Sequence, residues 1–434
     1  MGNIWSLTRY SKLKFQMLQL TPDERALMNG ETGSSGDRMA MQIVTRAAEM
    51  LGADRLVAIT SSHIDGCLYH GDSGVLFCEK LVQGGGRVKV PSTTNVGALN
   101  LSKPNQIRVD LDRRNMAWRL MKAHEDLGCQ PTWTCAPYQA GARPAVGAQV
   151  AWGESNAVAF VNTVLGARTN RYGDFLDIAC AITARAPYYG LHKPENRVAE
   201  LLVDVRALSE ELKHEDAFYP VLGAFIGRTA GETIPVVEGL PQTMSEDQLK
   251  ALCAGAAATG AAALIHIAGV TPEAPDLTTA LGNNVAAETI TLTTDMVLET
   301  RHSLSISQSG AIDCVALGSP HFSFDECKKL LDLSRGRKFK VPVYVCLGRH
   351  TMQQLTEAGI GKELADIGVE FVIDTCVVVT PILPEGGGVM MTNSAKFAHY
   401  ALGNIGYEPV FGALSDCVRS ATEGRAIWDE AIWN

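Results

Sequence analysis

The sequence lacks the short signatures of nucleotide and triad chemistry: there is no Gly-x-Gly-x-x-Gly after a strand, no Gly-x-x-x-x-Gly-Lys-Ser/Thr, no His-Glu-x-x-His and no Gly-x-Ser-x-Gly. The triplet Gly84-Gly85-Gly86 has no Lys-Ser/Thr behind it and precedes an expected strand, so it reads as a surface turn. A surplus of basic charge is also missing. Thirty-eight Lys+Arg against 47 Asp+Glu give a net charge of -9, which offers no general field for a phosphate backbone and argues against nucleic acid as a partner. Long apolar runs are absent too. The most apolar stretch, Ala254 to Val270, is interrupted by Gly255, Thr259, Gly260, His266 and Gly269, and falls short of the roughly 20 residues a spanning helix needs. It reads as a buried helix running into a buried strand, with no membrane role. The 11 cysteines include no Cys-x-x-Cys pair and are too sparse for a disulfide framework, which fits a reducing cytoplasm.

What remains is a chain of 434 residues, 46% apolar and 20% charged, long enough for two or three cores. Residues 1–19 read as a partly ordered arm without a secretory signal; the Met1-Gly2-Asn3-Ile4-Trp5-Ser6 start fits a minimal myristoylation pattern, which is read as chance. Thr21-Pro22-Asp23-Glu24 combines an N-cap, a proline at the first helical position and acidic residues in the first turn, so folded structure should open there. Residues 20–205 are expected to form a first α/β domain, with helices over 37–51, 73–82, 116–127 and 154–165 and strands over 55–60, 87–90 and ending at Thr134-Cys135. In residues 206–300 Gly, Ala and Thr blur the helix and strand periods, and only an α/β assignment can be given. Residues 301–434 are expected to form a parallel α/β unit with strands over 312–317, 341–347 and 370–379 and helices over 324–334 and 351–367.

Open parallel sheets bind ligands beyond the carboxyl ends of their strands. That rule singles out the loops Ser61–Gly66, Pro91–Asn95, Cys135–Tyr138, Gly318–Ser323, Gly348–His350, Cys376 onward and Thr392–Ser394. Cys135 and Cys376 end expected strands, where thiolates could serve as soft ligands of an iron–sulfur cluster, or simply pack as small hydrophobes. Glu154, Ser155, Asn156 and Asn162 lie on a helix with so many apolar positions that it must be buried; they could orient a polar substrate or tie loops together. Arg168 and Arg171 could present planar forks to a carboxylate or form surface ion pairs. His63, His192 and His321 fall in strand-end loops where proton exchange is useful.

Taken together, Thr134-Cys135-Ala136-Pro137-Tyr138, Trp152-Gly153-Glu154-Ser155-Asn156-Ala157, the run Asn162 to Arg171, Tyr189-Gly190-Leu191-His192, Gly318-Ser319-Pro320-His321-Phe322-Ser323, Asp374-Thr375-Cys376 and Thr392-Asn393-Ser394-Ala395-Lys396 appear in an order that resembles the large subunit or large domain of the aconitase X family. The resemblance implies an aconitase-like large subunit of several doubly wound α/β/α domains without the swivelling small domain, and a separately encoded small subunit as partner. It implies a hydro-lyase that uses an iron–sulfur cluster to dehydrate either cis-3-hydroxy-L-proline or mevalonate 5-phosphate. Archaeal members carry Gly-Cys-Pro-His where this chain has Gly318-Ser319-Pro320-His321, so a third thiolate is missing. A 2Fe-2S cluster on Cys135, Cys376 and Ser319 is favoured over 3Fe-4S or 4Fe-4S; Cys314, placed mid-strand, is the less favoured third ligand. The serine also favours hydroxyproline as substrate. The implied roles are catalytic for Ser62, His63, Glu154 and Asn162, and substrate-binding for Asn156, Arg168 and Lys396. The resemblance leaves the general base unassigned, with the partner subunit as one place for it. A cluster-free isomerase acting on proline derivatives and a non-catalytic subunit are the remaining readings.

Overall fold

Thr21 opens the fold in the computed structural model, which describes residues 17–307 and 310–433. Its hydroxyl accepts from the Glu24 N–H at 3.3 Å and its own N–H is taken by Glu24 Oε2 at 3.0 Å, the reciprocal capping the sequence predicts for helix Pro22–Asn29. The myristoylation pattern and most of the expected arm lie outside the described residues.

Fourteen strands form four sheets among the described residues. The first region carries β1 (Leu56–Ala58), β2 (Ser62–Ile64), β3 (Ser92–Thr94), β4 (Ala151–Trp152) and β5 (Arg185–Pro187). There, β1 and β5 pair antiparallel, while β3-β2-β4 make a parallel sheet. The middle region carries β6 (Leu201–Asp204), β7 (Pro235–Glu238), β8 (His266–Ile267) and β9 (Glu288–Thr291) in a parallel sheet of order β8-β7-β6-β9. The last region carries β10 (Cys314–Leu317), β11 (Val343–Leu347), β12 (Val369–Ile373), β13 (Gly388–Thr392) and β14 (Tyr407–Phe411), all parallel, in the order β12-β11-β10-β13-β14. Successive strands run outward from β10 in one direction and then resume at β13 on its other side, the doubly wound arrangement expected from the alternating pattern.

Local chemistry explains where expectation and structure part. The predicted strand over 87–90 is irregular, and pairing begins instead at Ser92–Thr94, a stretch with the polar look of a turn. These polar residues tolerate burial because each finds a partner: Thr94 Oγ1 donates to Gln130 O at 3.2 Å, and Thr93 Oγ1 lies 2.8 Å from His63 Nδ1. Ser62–Ile64, expected as loop, is the central strand of the same sheet. Thr134-Cys135 ends no strand; only Gln130 bridges to β3. The expected helix over 351–367 is two helices, Arg349–Glu357 and Ile360–Asp366, broken at Gly359, whose φ of 77° no helix interior accepts. The strand expected over 370–379 stops at Ile373, because Asp374 turns the chain with φ 68°.

The Ala/Gly-rich middle owes its ambiguous sequence to close helix packing. Helices Phe218–Ala230 and Glu246–Thr259 cross so tightly that a Cβ on Gly223 would lie 2.2 Å from Leu252 O. Residues chosen for near-contact of two backbones leave little periodic signal. One apolar core, including Met41, Ile64, Leu120, Trp133, Cys346 and Met390, runs between the first and last regions and fixes their sheets relative to each other.

Candidate active site

Strand order places a crevice in each of two sheets. In β3-β2-β4 the order reverses between β2 and β4, so the residues leaving those strands, Asp65 and Glu154, flank a gap. In the last sheet the reversal lies between β10 and β13, flanked by Gly318-Ser319 and by Ser394 and Lys396. Both gaps open into one cavity of about 170 Å³, which the first and last regions line together. Asp65, Asn95, Cys135, Glu154, Arg171, Ser319, Cys376 and Lys396 all contribute to it.

The two thiols reach this wall from loops braced by one imidazole. His321 is fully buried; its Nδ1 accepts from Thr134 Oγ1 at 3.0 Å and its Nε2 donates to Thr375 O at 3.1 Å, so a single ring ties the residues that precede Cys135 and Cys376. The His321 backbone N–H also donates to Cys135 Sγ at 3.3 Å. Asn156 Nδ2 donates to Cys135 O at 2.9 Å, fixing that loop from below. On the other side Arg349 grips Asp374 with two bonds, of 3.0 and 2.8 Å, and the Asp374 carbonyl receives the Gly97 N–H at 2.7 Å.

Burial pushes the Cys135 thiol up to about 12 and raises Cys376 as well, so without a bound cation both are neutral. Among the described residues no three His, Cys, Asp or Glu side chains converge as a metal-binding group. The donor set at this wall is two thiols with the Ser319 hydroxyl, sheltered from water and already receiving an N–H···S bond. That set fits an iron–sulfur cluster, which brings its own bridging sulfides and takes soft sulfur donors.

Glu154 and Lys396 form a buried ion pair across the cavity, joining residues 242 apart in sequence. Glu154 Oε2 also caps helix Ser155–Thr163 through the Ala157 N–H at 2.7 Å. Burial alone would raise the Glu154 carboxyl, but Lys396 and the helix-end amides outweigh it and hold it below its usual range. Lys396 is raised in return.

The structure thus brings Cys135, Cys376, Ser319, Glu154 and Lys396 together and leaves other expected site residues apart. Arg168 points to Glu273 at 3.6 Å and does not line the cavity; Arg171, three residues on, does. Asn162 lies beneath, fully bonded to Thr169, Ala263 and Arg197. Asn156 is buried behind Cys135. Ser62 donates to Ala151 O at 2.5 Å, between strands. His63 packs on Trp152 and is held neutral, its pKa lowered to about 4 by burial. Cys314 sits within β10, and no cavity-lining position falls to it. Asp65 and Asn95 were not singled out from sequence, although both stand in strand-end loops that the carboxyl-edge rule selects.

This chain matches the family models described as aconitase X first domain over residues 17–195, second domain over 199–302 and third domain over 312–423. It is 40% identical to a cis-3-hydroxy-L-proline dehydratase of Pseudomonas aeruginosa, covering 93% of this chain and 70% of that protein. It is 35% identical to a phosphomevalonate dehydratase large subunit of Methanothermobacter thermautotrophicus, covering 91% of this chain and 97% of that subunit. The crystal structure of Thermococcus kodakaraensis aconitase X in its holo-form superposes with a TM-score of 0.83 at 31% identity, covering 93% of this chain and all of that one. With its parallel sheets and the crevice they share, the chain belongs to the aconitase X family and is a hydro-lyase.

Proposed function

We propose that the chain is the large subunit of an iron–sulfur-dependent hydro-lyase that dehydrates cis-3-hydroxy-L-proline to 1-pyrroline-2-carboxylate, acting with a small swivelling subunit. The observation that carries this reading is the meeting of Cys135, Cys376 and Ser319 with the Glu154–Lys396 pair where two sheet crevices face each other. Bound there, an iron–sulfur cluster would supply a Lewis acid for the hydroxyl, which is otherwise a poor leaving group. Arg171 is the cavity's cation outside any ion pair among the described residues, and so the group available to a substrate carboxylate. Lys396, neutralised by Glu154, adds polarity without net charge.

This charge balance favours the amino acid over mevalonate 5-phosphate. The amino acid is a zwitterion of no net charge whose carboxylate needs one cation, whereas a carboxylate and a phosphate together would bring about three negative charges to the same cavity. The second reading keeps one supporting observation: this chain spans nearly the full length of a phosphomevalonate dehydratase large subunit. The test is anaerobic co-expression with a small-subunit partner and assay of both hydroxy acids side by side. We expect kcat/KM on cis-3-hydroxy-L-proline to exceed that on mevalonate 5-phosphate by at least about 100-fold, a difference of nearly 3 kcal/mol in transition-state binding. A reversed ratio overturns the substrate. Cys376→Ala should remove both the brown colour and turnover, and a colourless wild-type complex with full activity overturns the cluster.

A further inference from the structure

The cavity contains one acid to which the proposed dehydration gives no task. Asp65 leaves β2 at the first crevice, opposite Glu154, and lines the cavity with Ser319 and Cys376. Its position is built rather than incidental. The Asp65 backbone N–H donates to Asp177 Oδ2 at 2.6 Å, and Asp65 Oδ1 accepts from Asn95 Nδ2 at 2.5 Å. A Cβ on Gly153 would lie 2.7 Å from Asp65 Cβ, so the turn after β4 closes on it only because it carries glycine. Among the described residues no Lys, Arg or His forms an ion pair with it, Lys396 being engaged by Glu154.

Charges of both signs face Asp65. Glu154 faces it from the start of helix Ser155–Thr163 and Asp174 from the loop before helix Leu176–Thr183; Asp177, on that helix, is pushed well up by burial and is neutral, and Lys396 is the opposing charge, on helix Ala395–Ile405. Arg171 lines the same cavity, and His63, two residues back on β2, is neutral. Burial first, then Glu154 and Asp174, push the Asp65 carboxyl up to about 7, while Asn95 and Lys396 pull it down. A carboxyl in this setting holds a proton near neutrality and can give it away. Glu154 cannot serve in its place, being held ionised by Lys396.

Building on the proposed dehydration, we propose that Asp65 protonates the departing hydroxyl group. The bond from carbon 3 to oxygen breaks with its electron pair on oxygen, which takes the Asp65 proton and leaves as water. Carbon 2 gives its proton to a separate base, and the C–H pair becomes the double bond of an enamine that tautomerises to the imine. Asp65 is left as carboxylate and regains a proton from solvent. Because the acid form is required, turnover should fall as pH rises through about 7.

The test compares wild type with Asp65→Asn in the cluster-loaded complex, on cis-3-hydroxy-L-proline and on cis-3-chloro-L-proline, whose chloride needs no proton to depart. We expect Asp65→Asn to lower kcat on the hydroxy substrate at least about 100-fold and to erase the alkaline limb. We expect turnover of the chloro substrate to stay within about threefold of wild type, a pattern that loss of general structure would not give. Equal losses on both substrates, or hydroxy turnover within about threefold of wild type, overturn the assignment. If Asp65→Asn does not assemble, Asn95→Ala decides: removing a donor that favours the ionised carboxyl should move the alkaline limb to higher pH, and an unmoved limb overturns the proposal. A wild-type complex that turns over neither hydroxy acid overturns the dehydratase reading along with it.

Discussion

At the scale of single residues, two arginines three positions apart in one motif take opposite fates. Arg168 is drawn to Glu273, while Arg171 faces the cavity. If Arg171 receives the substrate carboxylate, Arg171→Ala should raise KM about 10- to 100-fold, the cost of one or two charge-assisted hydrogen bonds. Arg168→Ala should leave KM within about threefold. Steady-state kinetics of the two variants checks this, and the reverse order would move the carboxylate site. Lys396 tests a different property. Its removal leaves Glu154 buried without its cation, so Lys396→Ala should destabilise the fold by about 3–5 kcal/mol in urea titration, and adding Glu154→Gln should recover part of it. The sign with pH follows from the depressed Glu154 carboxyl: its contribution is present above the usual carboxylate range and is lost as pH falls through its lowered folded value. The pair itself was not legible in the sequence, because its partners lie 242 residues apart and no local pattern links them.

Elements were legible where the hydrophobic period was undisturbed. Helix Phe324–Ser334 follows from its amphipathic pattern and capping box, and the core of β11 from an unbroken apolar run. They were illegible where polar residues are buried in strands, as in Ser92–Thr94, or where packing selects small residues, as between helices 218–230 and 246–259. The same helix 246–259 contributes a contact that no sequence rule anticipates. Lys250, 2% exposed, reaches Asp247 and Glu326, and donates to His321 O at 3.3 Å, holding the loop that carries Ser319 from behind. Lys250→Met should therefore cost about 3–5 kcal/mol. The loss should be larger at pH 8 than at pH 5. Burial pushes Glu326 up to about 7, so at the lower pH it takes a proton and no longer needs the ammonium. Equal losses at the two pH values would show that Glu326 is not the group left exposed by the change.

For the whole molecule, the question is what makes separate sheets one enclosure. The run from Asn162 to Arg171 is among the most specific parts of the sequence, yet only its last residue lines the cavity. Its first explains why. Asn162 Nδ2 donates to Thr169 O and to Ala263 O, both at 3.0 Å, while its Oδ1 accepts from the Thr169 N–H at 3.1 Å and from Arg197 Nη1 at 3.0 Å. Arg197 in turn bonds Leu191 O at 3.1 Å and pairs with Glu273, which Arg168 also meets. This buried amide thus adds a polar tie to the apolar core that the first and middle regions share, and its contacts are those of assembly where the resemblance implies a catalytic role: sequence marks that a polar residue matters but not whether it faces solvent or another segment. Asn162→Ala would leave the Thr169 N–H and the Ala263 and Thr169 carbonyls without this partner. It should cost about 2–4 kcal/mol, one to three for each buried group left unsatisfied, less what relaxation recovers. Because the first and middle regions also share an apolar core, unfolding of the variant should remain one transition moved to lower temperature, with kcat per folded molecule within about threefold of wild type. A fall in kcat of more than about tenfold with one unshifted transition would return Asn162 to the reacting centre.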